Sequence, residues 1–70
     1  MERIKMMKRL GEEKGLGQIV KVGDDGDNYI EFENGDIYDD SERFEVLVNG
    51  KSEDYVYRGS EDLGRFLRTA

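Results

Sequence analysis

The sequence contains no cysteine and no histidine. Without cysteine there is no disulfide and no thiolate site, and no redox compartment is implied. Without histidine the usual zinc ligand sets are excluded, and the commonest general base is missing. Aliphatic hydroxyls are scarce too: Ser41, Ser52, Ser60 and Thr69 are the only ones, all in turn or cap contexts. No uncharged run approaches the length needed to span a bilayer. In the opening stretch MERIKMMKRL the basic residues are interleaved with the apolar ones, whereas a secretory signal places an uninterrupted apolar stretch after them. These absences point to a soluble protein of the cytoplasm that is not an enzyme, because catalysis needs a positioned and perturbed group. No cofactor is implied.

Seventy residues make one domain at most. A chain of this size buries only about 60% of the surface its unfolded form exposes. Small domains often add a disulfide, a metal or a second subunit, and the first is excluded here. What remains is a well-made small core or oligomerisation.

What the chain has in abundance is carboxylate. The stretch GDDGDNYIEFENGDIYDDSE, residues 23–42, carries nine acids among twenty residues and no base: Asp24, Asp25, Asp27, Glu31, Glu33, Asp36, Asp39, Asp40 and Glu42. Residues 1–21 hold six bases and three acids, a net of +3. Residues 22–62 hold three bases and fourteen acids, a net of −11, and residues 63–70 add two arginines. Like charges this dense repel one another and oppose a compact state. Such a block argues against direct binding to DNA or to an anionic membrane, and for a basic partner or cations.

Periodicity divides the chain into a basic N-terminal helix (1–10), an acidic antiparallel sheet (17–58) and a C-terminal helix (60–70). In the first segment Ile4, Met7 and Leu10 recur every three residues and Met6 widens the stripe, with Gly11 expected to end the helix. GEEKGLG then reads as a flexible connector. From Gly17 the period becomes two. Strands are expected at 18–22, 29–33, 36–38, 43–48 and 54–58, with Ile30, Phe32, Ile37, Phe44, Val46, Val48 and Val56 inward. Tyr29, Tyr38, Tyr55 and Tyr57 are expected outward. Asn34-Gly35 and Asn49-Gly50 are hairpin turns, since both residue types tolerate positive φ. Ser60 is the expected cap of the last helix, whose apolar face is Leu63, Phe66 and Leu67. The fold class is therefore α+β: a small antiparallel β-sheet, or an SH3-like barrel of four to five strands, with short N- and C-terminal helices.

Three explanations compete for the acids. The stretch beginning at Asp25 resembles a calcium loop but fails it, because Tyr29 and Ile30 stand where an oxygen ligand and a glycine are needed. Solubility and protection of sheet edges explain surface charge, but explain poorly why one sign dominates. The third explanation makes the acidic face the functional product. Carboxylates at i and i+2 of a strand, such as Glu31 and Glu33, lie about 6.6 Å apart on one face. Two steps along a DNA strand rise about 6.8 Å. An acidic sheet can thus offer a surface like two rows of phosphates to a protein that grips DNA with Lys and Arg.

A tiny, acidic, cysteine-free chain with β-hairpins resembles the small host-takeover proteins of bacteriophages, DNA mimics among them, including inhibitors of the nucleoid protein HU. The resemblance lies in size and charge, not in a motif. It implies an inhibitor that occupies the DNA-binding surface of a basic, HU-like host protein in the bacterial cytoplasm or nucleoid and displaces DNA. The expected partner-binding residues are Asp24, Asp25, Asp27, Glu31, Glu33, Asp36, Asp39, Asp40, Glu42 and Glu45, with Tyr29 and Tyr38. The alternative is an SH3-like adaptor that holds a host enzyme or peptide in an aromatic groove. The basic N-terminus departs from an all-acidic mimic: it packs behind the sheet or meets an acidic flank of the partner. Its apolar stripe, loosely tethered by the glycine-rich connector, points to a homodimer through that helix.

Overall fold

The computed structural model describes residues 3–23 and 27–69, so Glu2, Asp24 and Asp25 lie outside the described residues. Seven elements follow in order: α1 (Arg3–Lys14), β1 (Ile19–Val22), β2 (Tyr29–Phe32), β3 (Ile37–Asp39), β4 (Arg43–Val48), β5 (Lys51–Val56) and α2 (Gly59–Thr69). They form an α+β fold in which β1, β2 and β3 make one antiparallel sheet and β4 and β5 a separate two-stranded ribbon. The strands do not close into a barrel, which corrects the SH3-like alternative.

Helix α1 is the centre of the core. Ile4, Met6, Met7 and Leu10 are each 1% exposed or less. Burying a side chain of this kind contributes roughly 1.5–3 kcal/mol. Gly11 does not end the helix. A Cβ there would lie 2.7 Å from both the Phe32 ring and the Gly17 carbonyl oxygen, so glycine is required for α1 to approach the sheet. The helix ends one turn later at Gly15, which adopts φ +67°. There the Leu16 N–H donates to the Gly11 carbonyl at 2.8 Å and the Gly15 N–H to that of Glu12 at 3.4 Å, the paired bonds of a left-handed helix end. The connector is thus structured. The stripe from which a helix-mediated homodimer was expected is covered within one chain, which removes the reason for that expectation.

The two hairpin turns are built differently. At Asn34-Gly35 only Gly35 has positive φ, and Phe32 and Asp36 close a three-residue loop. At Asn49-Gly50 both residues do, at 51° and 78°, giving a two-residue turn that sets the register of the ribbon. That register pairs Phe44 with Tyr55 and Glu45 with Asp54, and starts β5 at Lys51 rather than at residue 54. Slipping by one residue exchanges the faces of a strand. Here the pairing puts Tyr55 inside and Val56 outside, opposite Arg43, reversing the expected assignment.

Tyr38 also faces inward, opposite Ile30, and Ile37 is outward and 50% exposed. Tyr57, expected outward, is fully buried. An aromatic chain joins the two sheets: Phe32 meets Tyr38 edge-on at 5.9 Å, Tyr38 meets Phe44 edge-on at 6.3 Å, and Phe44 stacks on Tyr55 at 6.0 Å. Rings in such geometries attract beyond their burial alone. In α2, Leu63 is buried and Phe66 half-buried, but Leu67 is 67% exposed and lies off the packed face. The cap comes from Asp62 rather than Ser60: its Oδ2 accepts the Arg58 N–H at 2.7 Å. Among the described residues, no helix is long and apolar enough to cross a membrane.

Candidate partner-binding surface

The outer face of the three-stranded sheet is a grid of two rows. Lys21, Glu31 and Ile37 are direct neighbours across β1, β2 and β3. The next row is Gly23, Tyr29 and Asp39, with the Gly23 N–H donating to the Tyr29 carbonyl at 2.9 Å. Gly23 has no side chain, and a Cβ there would lie 2.8 Å from the Tyr29 ring. A side chain at this position would collide with the ring edge, so glycine keeps it in place. From the first row, the Lys21 ammonium reaches over the same ring, 5.9 Å from its centroid. Val20, the extra residue of a bulge in β1, is 55% exposed.

A rim of carboxylates stands at one end of this sheet. Asp27, just before β2, and the β3–β4 turn lie there, and Asp27, Asp39, Asp40 and Glu42 are all exposed. The turn is held by the Ser41 N–H to the Tyr57 carbonyl and the Tyr57 N–H to the Glu42 carbonyl, each at 2.8 Å. Asp40 is further located by Gly59 of α2, where a Cβ would lie 2.7 Å from the Asp40 Oδ1. Asp36 is exposed in the opposite turn, its N–H bonded to Asn34 Oδ1 at 2.9 Å.

The ribbon adds a second acidic surface. Glu45 faces Asp54 directly across the strands on the solvent side, a like-charged pair that destabilises a sheet. The Ser52 hydroxyl donates to Glu45 Oε2 at 3.1 Å, and the Tyr55 hydroxyl to Glu53 Oε2 at 2.9 Å. That bond, first, and then partial burial raise the Tyr55 pKa above its ordinary 10.0.

Of the residues expected to bind a partner, the structure brings together Asp27, Tyr29, Asp39, Asp40 and Glu42 at one end of the sheet, with Glu31 beside Tyr29. Glu33 does not join them. Strand β2 ends at Phe32, and the Glu33 carboxylate turns back to accept the Gln18 N–H at 2.8 Å. Glu31 is flanked by Lys21 and Ile37 instead of by acids. The acids thus cluster in turns and on the ribbon, not as two rows along one strand. Tyr38 points its ring into the core. Burial, first, and then Asp36 and Glu42 raise its pKa above 10.0. Asp54 and Lys21 were missed. The Asn49-Gly50 turn, taken as a two-residue loop, would have placed Asp54 opposite Glu45. Only the pairing with Glu31 locates Lys21.

The helices treat charge in another way. Arg3 and Arg65 both pair with Glu61 at 3.1 Å, and Arg9 pairs with Glu13 at 3.1 Å. Glu13 also accepts the Leu47 N–H at 3.2 Å, covering an otherwise open edge of β4. By contrast, among the described residues no Lys or Arg comes within ion-pair distance of Asp27, Asp36, Asp39, Asp40 or Glu42. No three acids among the described residues converge to hold a metal ion either. A groove of about 710 Å³ runs between α1 and the connector, lined by Lys8, Gly11, Gly15, Gly17, Ile19 and Phe66 among others. It contains one aromatic ring, over which the Lys8 ammonium sits at 5.3 Å. No protein-family model matches the chain, and neither a curated protein nor a solved structure is significantly similar to it.

Proposed function

We propose that the chain is a non-enzymatic acidic binding protein that occupies the DNA-binding surface of a basic, HU-like protein and displaces the nucleic acid. One observation carries this reading: the segregation of charge. Residues 19–57 hold twelve acids and three bases, while α1 holds five bases and two acids. The bases that would neutralise the sheet are placed on the helices, and Arg3, Arg9 and Arg65 are already paired there. The sheet keeps a self-repulsion that an ordinary mixed surface avoids. A cationic partner relieves it.

The aromatic-groove adaptor gains no support from the geometry. Phe32, Tyr38, Phe44 and Tyr55 are packed on one another between the two sheets, and Tyr57 is buried.

The test is competition. The chain is titrated into a complex of labelled DNA with an HU-type protein at about 50 to 300 mM salt, a range over which the screening length falls below about 10 Å. DNA is released at low salt, and the affinity of the chain for the protein falls steeply as salt rises. Changing Asp27, Asp39, Asp40 and Glu42 together to their amides abolishes the release and leaves the fold intact. Single amide changes have small effects, since an exposed ion pair contributes under about 1 kcal/mol. A salt-independent affinity, or full release by the fourfold variant, overturns the reading.

A further inference from the structure

The outer face of the three-stranded sheet carries more than negative charge. Tyr29 is half-buried there, and one edge of its ring comes close to Gly23, where a Cβ would lie 2.8 Å from the ring. Asp39 is its direct neighbour across the strands, and Glu31 is two residues along the same strand on the same face. A half-buried aromatic ring with one carboxylate neighbour across the strands and another along its own strand suits a planar cation that stacks on the ring while donating hydrogen bonds to the acids. A cation of this same chain already sits there, since the Lys21 ammonium lies over the ring at 5.9 Å. That distance is near the limit of about 6 Å at which a ring still attracts a cation.

We infer that Tyr29, Asp39 and Glu31 form a receptor for an arginine side chain of the partner, and that Lys21 holds the place in the free protein. The inference rests on the reading of the sheet surface as the binding face and names the chemistry it selects. Arginine fits the arrangement and lysine does not. The guanidinium is planar, stacks on aromatic rings and presents its donors in a fork that matches carboxylates, whereas the ammonium is a compact, strongly hydrated point charge. A lysine from outside would only exchange with Lys21 like for like. An arginine replaces a distant ring contact by a stacked one and engages Asp39 as well. The neighbouring Ile37, 50% exposed, gives the methylene stem of such a side chain an apolar surface to lie on. The partner surface that fits is therefore arginine-bearing, and a uniform cationic field does not satisfy it.

Two peptides of equal length and charge, one of arginine and glycine and one of lysine and glycine, are titrated into the full chain by calorimetry at fixed low salt. The arginine peptide binds about fivefold more tightly, the factor by which a cation on an exposed ring is stabilised at the upper end of the usual range. Tyr29→Leu removes the preference and Tyr29→Phe keeps it. Lys21→Met increases affinity for the arginine peptide at least as much as for the lysine peptide. Thermal melts of each variant show that the fold is retained, and if Tyr29→Leu melts early, Asp39→Asn replaces it and reduces the preference. Equal binding of the two peptides by the wild type, or a preference that survives Tyr29→Leu, overturns the arginine receptor while leaving the acidic binding face standing. If neither peptide binds, both readings fall.

Discussion

The helical layer and the sheet surface of this small protein solve the same electrostatic problem in opposite ways. On the helices the exposed acids are partly paired: Glu61 is held by two arginines, and Glu13 by Arg9. On the sheet, Asp39 and Asp40 stand side by side in one turn and Glu45 faces Asp54 across two strands. Both regions belong to one chain of 70 residues with eleven bases to distribute. The helical layer carries the apolar packing and pairs Arg3, Arg9 and Arg65 with acids of its own. The sheet surface leaves its charge energy unrelieved, which is what a face completed by a cationic partner requires.

The largest expected effect tests the helical layer as core builder. Gly11→Val should cost on the order of 3 kcal/mol, because the added carbons meet the Phe32 ring and the Gly17 carbonyl oxygen in a packed interior. Urea unfolding measures it. A change under about 1 kcal/mol would mean that α1 sits less tightly on the sheet than its geometry shows.

Next comes a carboxylate of α2 that departs from the helical rule. Asp62 is fully buried, its Oδ1 has no hydrogen-bond partner, and Arg65 is 3.9 Å away. Burial raises its pKa above the ordinary 3.8, opposed by the Arg58 N–H and by Arg3 and Arg65. Because the folded state holds this proton more tightly, the stabilising contribution is complete below about pH 3.8 and is lost as pH rises through the raised value. Asp62→Asn keeps the acceptor for Arg58 and cannot ionise. Its melting temperature should exceed that of the wild type at pH 7, and the difference should shrink as the pH falls towards 4. A constant difference would place the effect in packing rather than in ionisation.

A smaller effect tests the sheet surface. Asp54→Lys converts the pair with Glu45 into opposite charges and should stabilise the ribbon by roughly 0.2–1 kcal/mol at low salt. The same variant should bind the proposed basic partner more weakly. Stability gained together with unchanged binding would remove the ribbon from the binding face. The smallest effect is expected at the helical ion pairs. Arg65→Gln should cost under about 0.5 kcal/mol, since Glu61 is well exposed and keeps Arg3. A larger loss in thermal melts would show that Arg65 chiefly supports buried Asp62.

The α+β class, the two helices, the five strands and both hairpin turns were legible in the sequence, because hydrophobic period and Asn-Gly turns are local signals. Inward Ile30, Phe32, Phe44 and Val46 followed from alternation alone. The tyrosines did not. A tyrosine is compatible with either face of a strand, so Tyr38 and Tyr55 were settled by Ile30 and Phe44 opposite them, and Tyr57 by its place after β5, where its backbone pairs with Ser41 and Glu42. Ile37 went the other way: it is apolar, yet its place across from Glu31 puts it in solvent. For the candidate surface, the acidic turns could be read directly, but the Glu31–Glu33 alignment could not survive a strand that stops at Phe32.

By itself, the sequence determined which segments are helical or extended, where the chain turns, and that an excess of carboxylate must lie on the sheet side. Each of these depends on residues within a few positions of one another. Only the tertiary structure decided that Gly11 is a contact point and not a stop, that α1 fills the core and leaves no apolar stripe for a second copy, and that Lys21, Tyr29 and Asp39 share one face. Those outcomes depend on register and close approach between distant segments, where a shift of one residue or one methyl group reverses the result.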